Sequence, residues 1–121
     1  MTVAPGAASR LLWTTDSAGL VDACPGGTVV VGAGGQRSWY VALLDGYGNL
    51  AIQGASAGTV TVRTTSGNGT PPNGSLTVNA GANPAVTSTA LTMKLKKKSG
   101  TATTWRATVP SLTAVSCTLS P

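Results

Sequence analysis

Thr59-Val60-Thr61-Val62-Arg63-Thr64 alternates without a break between apolar and polar side chains. Successive residues of a strand point to opposite faces, so this spacing predicts a half-buried strand with Val60 and Val62 inward. The same period of two recurs on both sides of it. Leu76 and Val78 are the inward residues of 75–79, and Trp105, Ala107 and Val109 share one face of 104–109. Leu91, Met93 and Leu95 alternate with Thr92, Lys94 and Lys96, and at the C-terminal end Val115, Cys117 and Leu119 alternate with Ala114, Ser116 and Thr118. Residues 28–31 and 38–44 are more continuously apolar, which predicts buried central strands covered on both faces. Between the strands stand runs such as Gly32-Ala33-Gly34-Gly35, Asp45-Gly46-Tyr47-Gly48-Asn49 and Asn79-Ala80-Gly81-Ala82-Asn83-Pro84, rich in residues that accept positive φ or fix a turn. Seven to nine short strands with frequent turns and no sustained helical period predict an all-β sandwich.

Composition points the same way. The 121 residues include 19 Thr and 16 Gly but no Phe, His or Glu, and only 9% are charged, against about 25% in an average soluble domain. Val, Leu and Ile together number 24, enough for one thin core and not two. With Phe absent, Trp39 and Trp105 are expected inside as the core's bulk, whereas Tyr47, at a turn tip, is the best exposed aromatic. The chain therefore divides into an N-terminal arm, residues 1–10, and a single sandwich, residues 11–121. Leu11-Leu12-Trp13 reads as an ordered arm or as an extra edge strand. No basic n-region with an apolar run opens the chain, and no 18-residue apolar stretch occurs, so neither a secretory signal nor a membrane span is expected. Met1 reads as the initiator of a cytosolically made product, the alternative being an added Met on an excised domain.

Cys24 and Cys117 admit two readings: a bridge that would close most of the chain, or two buried free thiols. A metal site is not expected, because two cysteines without His cannot build a closed tetrahedral shell.

The stretch Ser38-Trp39-Tyr40-Val41-Ala42-Leu43-Leu44-Asp45-Gly46-Tyr47-Gly48-Asn49-Leu50-Ala51 resembles the second-strand motif of bacterial Ig-like domains. There an apolar strand runs into an Asp-x-x-Gly-Asn turn and then a short strand, and Asp45, Gly48 and Asn49 hold the matching places. The resemblance covers about residues 28–119 and implies an Ig-like Greek-key β-sandwich used as a spacer, adhesion or display unit without a catalytic centre. A single copy, the lack of a signal pattern and the preceding arm are closer to the small Ig-like accessory proteins of tailed-phage virions. That likeness implies a virion surface or decoration protein made in the host cytoplasm. Its partners would be a major capsid or tail protein, and itself as a homo-oligomer. The alternative is a bacterial cell-surface adhesin or carbohydrate-binding module that recognises cell-surface glycans.

Chemistry is scarce. Asp16, Asp22 and Asp45 are the only side-chain carboxylates; Asp45 is accounted for by its turn and Asp16 by another, ahead of Ser17-Ala18-Gly19, so no pair remains for glycosidic acid/base work. No His is present to activate a Ser or Cys nucleophile. Asp45 with Asn49 would make a poor calcium site, one carboxylate being too little for a hard dication. The expectation is a non-enzymatic protein with no catalytic residue, no cofactor and no metal. Lys94, Lys96, Lys97 and Lys98 are half of the basic residues. On a strand Lys94, Lys96 and Lys98 share the outer face, which protects an edge strand from pairing with another chain. The other reading of the cluster is a contact for an acidic partner such as a capsid shell or cell-surface polymer, and Tyr47 is a further partner-contact candidate, the aromatic best placed to meet a sugar. Nucleic acid is disfavoured, since no aromatic side chain is interleaved with the lysines. Asn68-Gly69-Thr70 and Asn73-Gly74-Ser75 match glycosylation sequons but read as Asn-Gly turns.

Overall fold

The structure is a computed structural model and describes residues 8–15, 21–47, 49–97, 101–110 and 112–121. It is all-β. In chain order the strands are β1 (Arg10–Thr14), β2 (Thr28–Val30), β3 (Gln36–Leu44), β4 (Gly58–Ser66), β5 (Asn73–Val78), β6 (Leu91–Lys94), β7 (Thr103–Thr108) and β8 (Val115–Ser120). A 3-10 turn, Pro25–Gly27, precedes β2. They form two sheets, β1-β3-β6 and β2-β8-β7-β4-β5, packed as a sandwich. Every pairing is antiparallel except β2 with β8. The chain changes sheet repeatedly, so sequence neighbours such as β3 and β4 lie in different layers. This two-sheet arrangement is consistent with an Ig-like domain.

Alternation decides which residues fill the space between the layers. Val60, Val62, Leu76, Val78, Trp105, Ala107, Cys117 and Leu119 come from the five-stranded sheet and Leu11, Trp13, Trp39, Val41, Leu43 and Met93 from the other. Trp39 and Trp105 are buried as their bulk requires, at 2% and 0% exposure. Trp13 joins them at 1%, so it does not present a ring to solvent. Trp13 and Trp39 meet with ring centroids 6.0 Å apart and planes tilted by 53°, within the range favoured by aromatic quadrupoles. The Trp105 indole N–H donates to the Pro71 carbonyl at 2.8 Å. The Trp13 Nε1 is, among the described residues, the buried side-chain polar atom without a hydrogen-bond partner.

The continuously apolar segments separate into two cases. In β3 the expectation holds for Val41, Ala42 and Leu43, all buried. Beyond its pairing with β6, this strand is continued laterally by the bridge from Ala42 to Val86 and the bond from Leu43 N–H to Ala85 O at 2.9 Å. Residues 28–31 are not a buried central strand. Three of them, Thr28–Val30, form β2 at the rim of the five-stranded sheet, and Val30 is 71% exposed. A run of valines has no alternation to report, so it could not distinguish a strand bonded on both sides from one bonded to β8 alone. Val29 and Val31 pack against the core.

β1 is an edge strand of the three-stranded sheet, paired with β3 from Arg10↔Leu44 to Thr14↔Tyr40. Its outer side is capped by the Thr14↔Asp22 bridge and by Ala23 N–H donating to Trp13 O at 2.8 Å. Residues 1–7 of the expected arm lie outside the described residues. Ser9 is already bound into the sandwich, donating to Leu44 O and accepting from Thr113 N–H, each at 2.8 Å.

Cys24 and Cys117 form a disulfide with a Cα separation of 6.0 Å, and so the bridged reading of the pair is the one realised. It fastens the segment ahead of β2 to β8, beside the parallel pairing of those two strands.

Candidate functional site

Asp45 closes β3, and its surroundings explain the turn that follows. The residue is 2% exposed. Oδ1 accepts the backbone N–H groups of Tyr47 at 2.8 Å and Asn49 at 2.9 Å, while Oδ2 takes the Asn49 side-chain amide at 3.4 Å. The Asp45 N–H donates in turn to Asn49 O at 2.8 Å. An aspartate can bind its own downstream backbone in this way because its side chain mimics a peptide carbonyl. After the turn the chain returns along β3 through the Leu44↔Leu50 bridge and Ala51 N–H to Leu43 O, which is shorter than the strand expected there. The carboxylate is committed to the turn, and Tyr47 is pushed out at its tip, 90% exposed. Gly48 lies outside the described residues.

The lysines sit elsewhere. β6 is the other edge strand of the three-stranded sheet, and Lys94 and Lys96 are exposed beside buried Met93 and Leu95. Lys97 is exposed too, and Lys98 lies outside the described residues. The free edge of β6 is met at one point: Thr70 and Lys94 exchange both backbone hydrogen bonds at 2.8 Å. A charged side chain outward and a bridged backbone inward are two ways of blunting an edge at one residue.

Lysines and Tyr47 do not form one surface. Lys94 is paired with Gln36 at the start of β3, and Tyr47 follows Leu44 at its end. Eight strand rises separate Gln36 from Leu44, about 27 Å, so the two features occupy opposite ends of the sandwich.

Two further cations escaped the sequence reading. Arg63 of β4 and Arg106 of β7 are direct cross-strand partners, both exposed on the outer face of the five-stranded sheet. Each follows an inward residue, Val62 and Trp105, so alternation alone places both outward. Their adjacency depends on the β4–β7 register, a long-range fact that no local pattern carries.

Asp22, half of the remaining carboxylate inventory outside the turn, accepts the Cys24 N–H at 2.9 Å; Asp16 lies outside the described residues. Among the described residues no group of three or more His, Cys, Asp or Glu could hold a metal ion, and no helix is long and apolar enough to cross a membrane. No protein-family model and no curated protein sequence matches the chain.

Proposed function

We propose that the protein is a non-enzymatic Ig-like surface protein of a phage virion, a capsid or tail accessory subunit that decorates the particle. The observation that carries this reading is the two-sheet sandwich whose third strand ends in the Asp45 turn, the motif by which the chain resembles bacterial Ig-like domains. A small sandwich of this kind is suited to display: the outer sides of β1 and β6 are bridged at Asp22 and Thr70, and its ends offer separate contact points. The lysine end carries Lys94, Lys96 and Lys97 for an acidic shell, and the opposite end carries Tyr47. The disulfide favours a final setting outside the reducing cytoplasm, as on a released particle. Major capsid or tail protein is the partner on this reading, with self-association as a further contact.

The bacterial-surface alternative has one observation of its own. Tyr47, 90% exposed, is the kind of ring against which a sugar stacks. An adhesin or carbohydrate-binding module would use it on a cell-surface glycan.

Density-gradient fractionation of a lysate separates the two readings. A decoration protein co-sediments with the capsid proteins and leaves them only under conditions that disrupt the shell. A protein that stays at the top of the gradient and is retained on glycans through Tyr47 overturns the virion reading.

A further inference from the structure

The outer face of the five-stranded sheet holds a groove of about 680 Å³ between β4, β7 and the β7–β8 connection. Its floor is Arg63 and Thr65 from β4 with Arg106 and Thr108 from β7, and Val109 and Leu112 form part of an apolar wall along one side. Like charges placed directly opposite on antiparallel strands cost stability, so a sheet evolved only for folding has no reason to pair Arg63 with Arg106. Neither guanidinium is engaged in a hydrogen bond or ion pair among the described residues. Two planar forks side by side, each with donors matched to a carboxylate, make a site that is incomplete without an anion.

We infer that this groove binds an acidic peptide segment of another protein, with carboxylates on Arg63 and Arg106 and an apolar side chain against Val109 and Leu112. The chemistry of the groove selects among anions. No aromatic residue lines it, so it offers neither a stacking platform for bases nor one for sugar rings. The apolar wall beside the charges fits a chain in which acidic and apolar side chains alternate, as in an extended peptide. A second copy of this protein is a poor source: its only side-chain carboxylates, Asp16, Asp22 and Asp45, stand apart in the sequence, Asp45 is buried in its turn, and no Glu is present, so no stretch of the chain alternates acidic and apolar side chains. The site is distinct from the lysine cluster and does not depend on the virion reading.

The test is fluorescence anisotropy with a labelled peptide of alternating Asp and Leu, against a control of alternating Asn and Leu. Wild-type protein binds the acidic peptide, more weakly as salt rises, and does not bind the control. Arg63→Gln with Arg106→Gln weakens binding by about tenfold or more, the loss of one charge-assisted contact being worth at least that. Lys94→Gln with Lys96→Gln leaves binding within about twofold, because neither side chain lines the groove. Both arginines are exposed, so the thermal midpoint of the arginine variant does not fall below that of wild type, which separates lost binding from lost folding. The inference is overturned if the arginine variant binds as wild type, if the lysine variant loses as much, or if heparin or a single-stranded oligonucleotide binds the groove more tightly than the peptide. Self-association abolished by the arginine substitutions would also overturn it, in favour of a contact between copies.

Discussion

Removing the bridge between Cys24 and Cys117 has an effect whose size follows from the fold. The two residues are 93 positions apart, so the covalent loop encloses all of β2 to β7 and part of β8. In a chain-entropy treatment, opening a loop of that length returns about 4.6 kcal/mol of conformational freedom to the unfolded chain. A 121-residue domain unfolds with an entropy of about 250 cal/mol/K near its midpoint. The midpoint of the reduced protein should therefore fall by about 18 °C. Cys24→Ala with Cys117→Ala should fall somewhat further, by about 1–2 kcal/mol, because Cys117 is 1% exposed and truncation leaves a void among core side chains. Reduced wild type keeps both sulfurs, and thus the difference between the two samples isolates the packing contribution. Urea unfolding followed by tryptophan fluorescence supplies a second reading, since an untethered denatured chain exposes more surface and the slope of free energy against urea should rise. Midpoints of oxidised and reduced protein within about 5 °C of each other would refute the reasoning, as would alkylation of two thiols without reductant.

Other substitutions test particular contacts. Asp45→Ala removes the acceptor for two backbone N–H groups and should cost about 3 kcal/mol in urea unfolding; Asp45→Asn keeps one acceptor oxygen and should cost about half as much. Gly69→Ala would set a Cβ 2.6 Å from Trp105 Cη2 and 2.9 Å from Lys94 O, and should destabilise by about 3 kcal/mol, whereas Gly54→Ala, which meets nothing within 4 Å, should change stability by less than about 0.5 kcal/mol. Trp105→Phe forfeits the bond to Pro71 O as well as ring volume, and its midpoint in thermal unfolding should drop by the equivalent of about 2–3 kcal/mol.

The strands that alternate were readable because inward and outward positions are fixed by the period itself. Val60 and Val62, Trp105 and Ala107, and Cys117 and Leu119 are buried as their spacing requires. Asp45 was readable for a local reason too, its bonds reaching only two and four residues along the chain. What failed to show in the sequence depends on contacts between distant segments. Residues 28–31 gave no periodic signal, and only the pairing of β2 with β8 reveals an edge. The burial of Trp13 follows from β1 docking on β3, which a five-residue strand near the N-terminal end does not announce. Lys94 and Tyr47 are both exposed, but the nine residues of β3 hold them at opposite ends, a separation that neither local pattern carries. Half of the cations stand out in the sequence as the lysine run, whereas Arg63 and Arg106 are 43 positions apart and adjacent only through sheet register.

The central claim, that this sandwich decorates a virion, is tested most directly by comparing particles made with and without its gene in cryo-electron microscopy. The account predicts a difference density outside the shell or tail, the size of one 11.9 kDa sandwich per binding site, that is lost in the deletion and restored by adding back purified protein. Identical surfaces in the two particle preparations, with the protein absent from both, would contradict it.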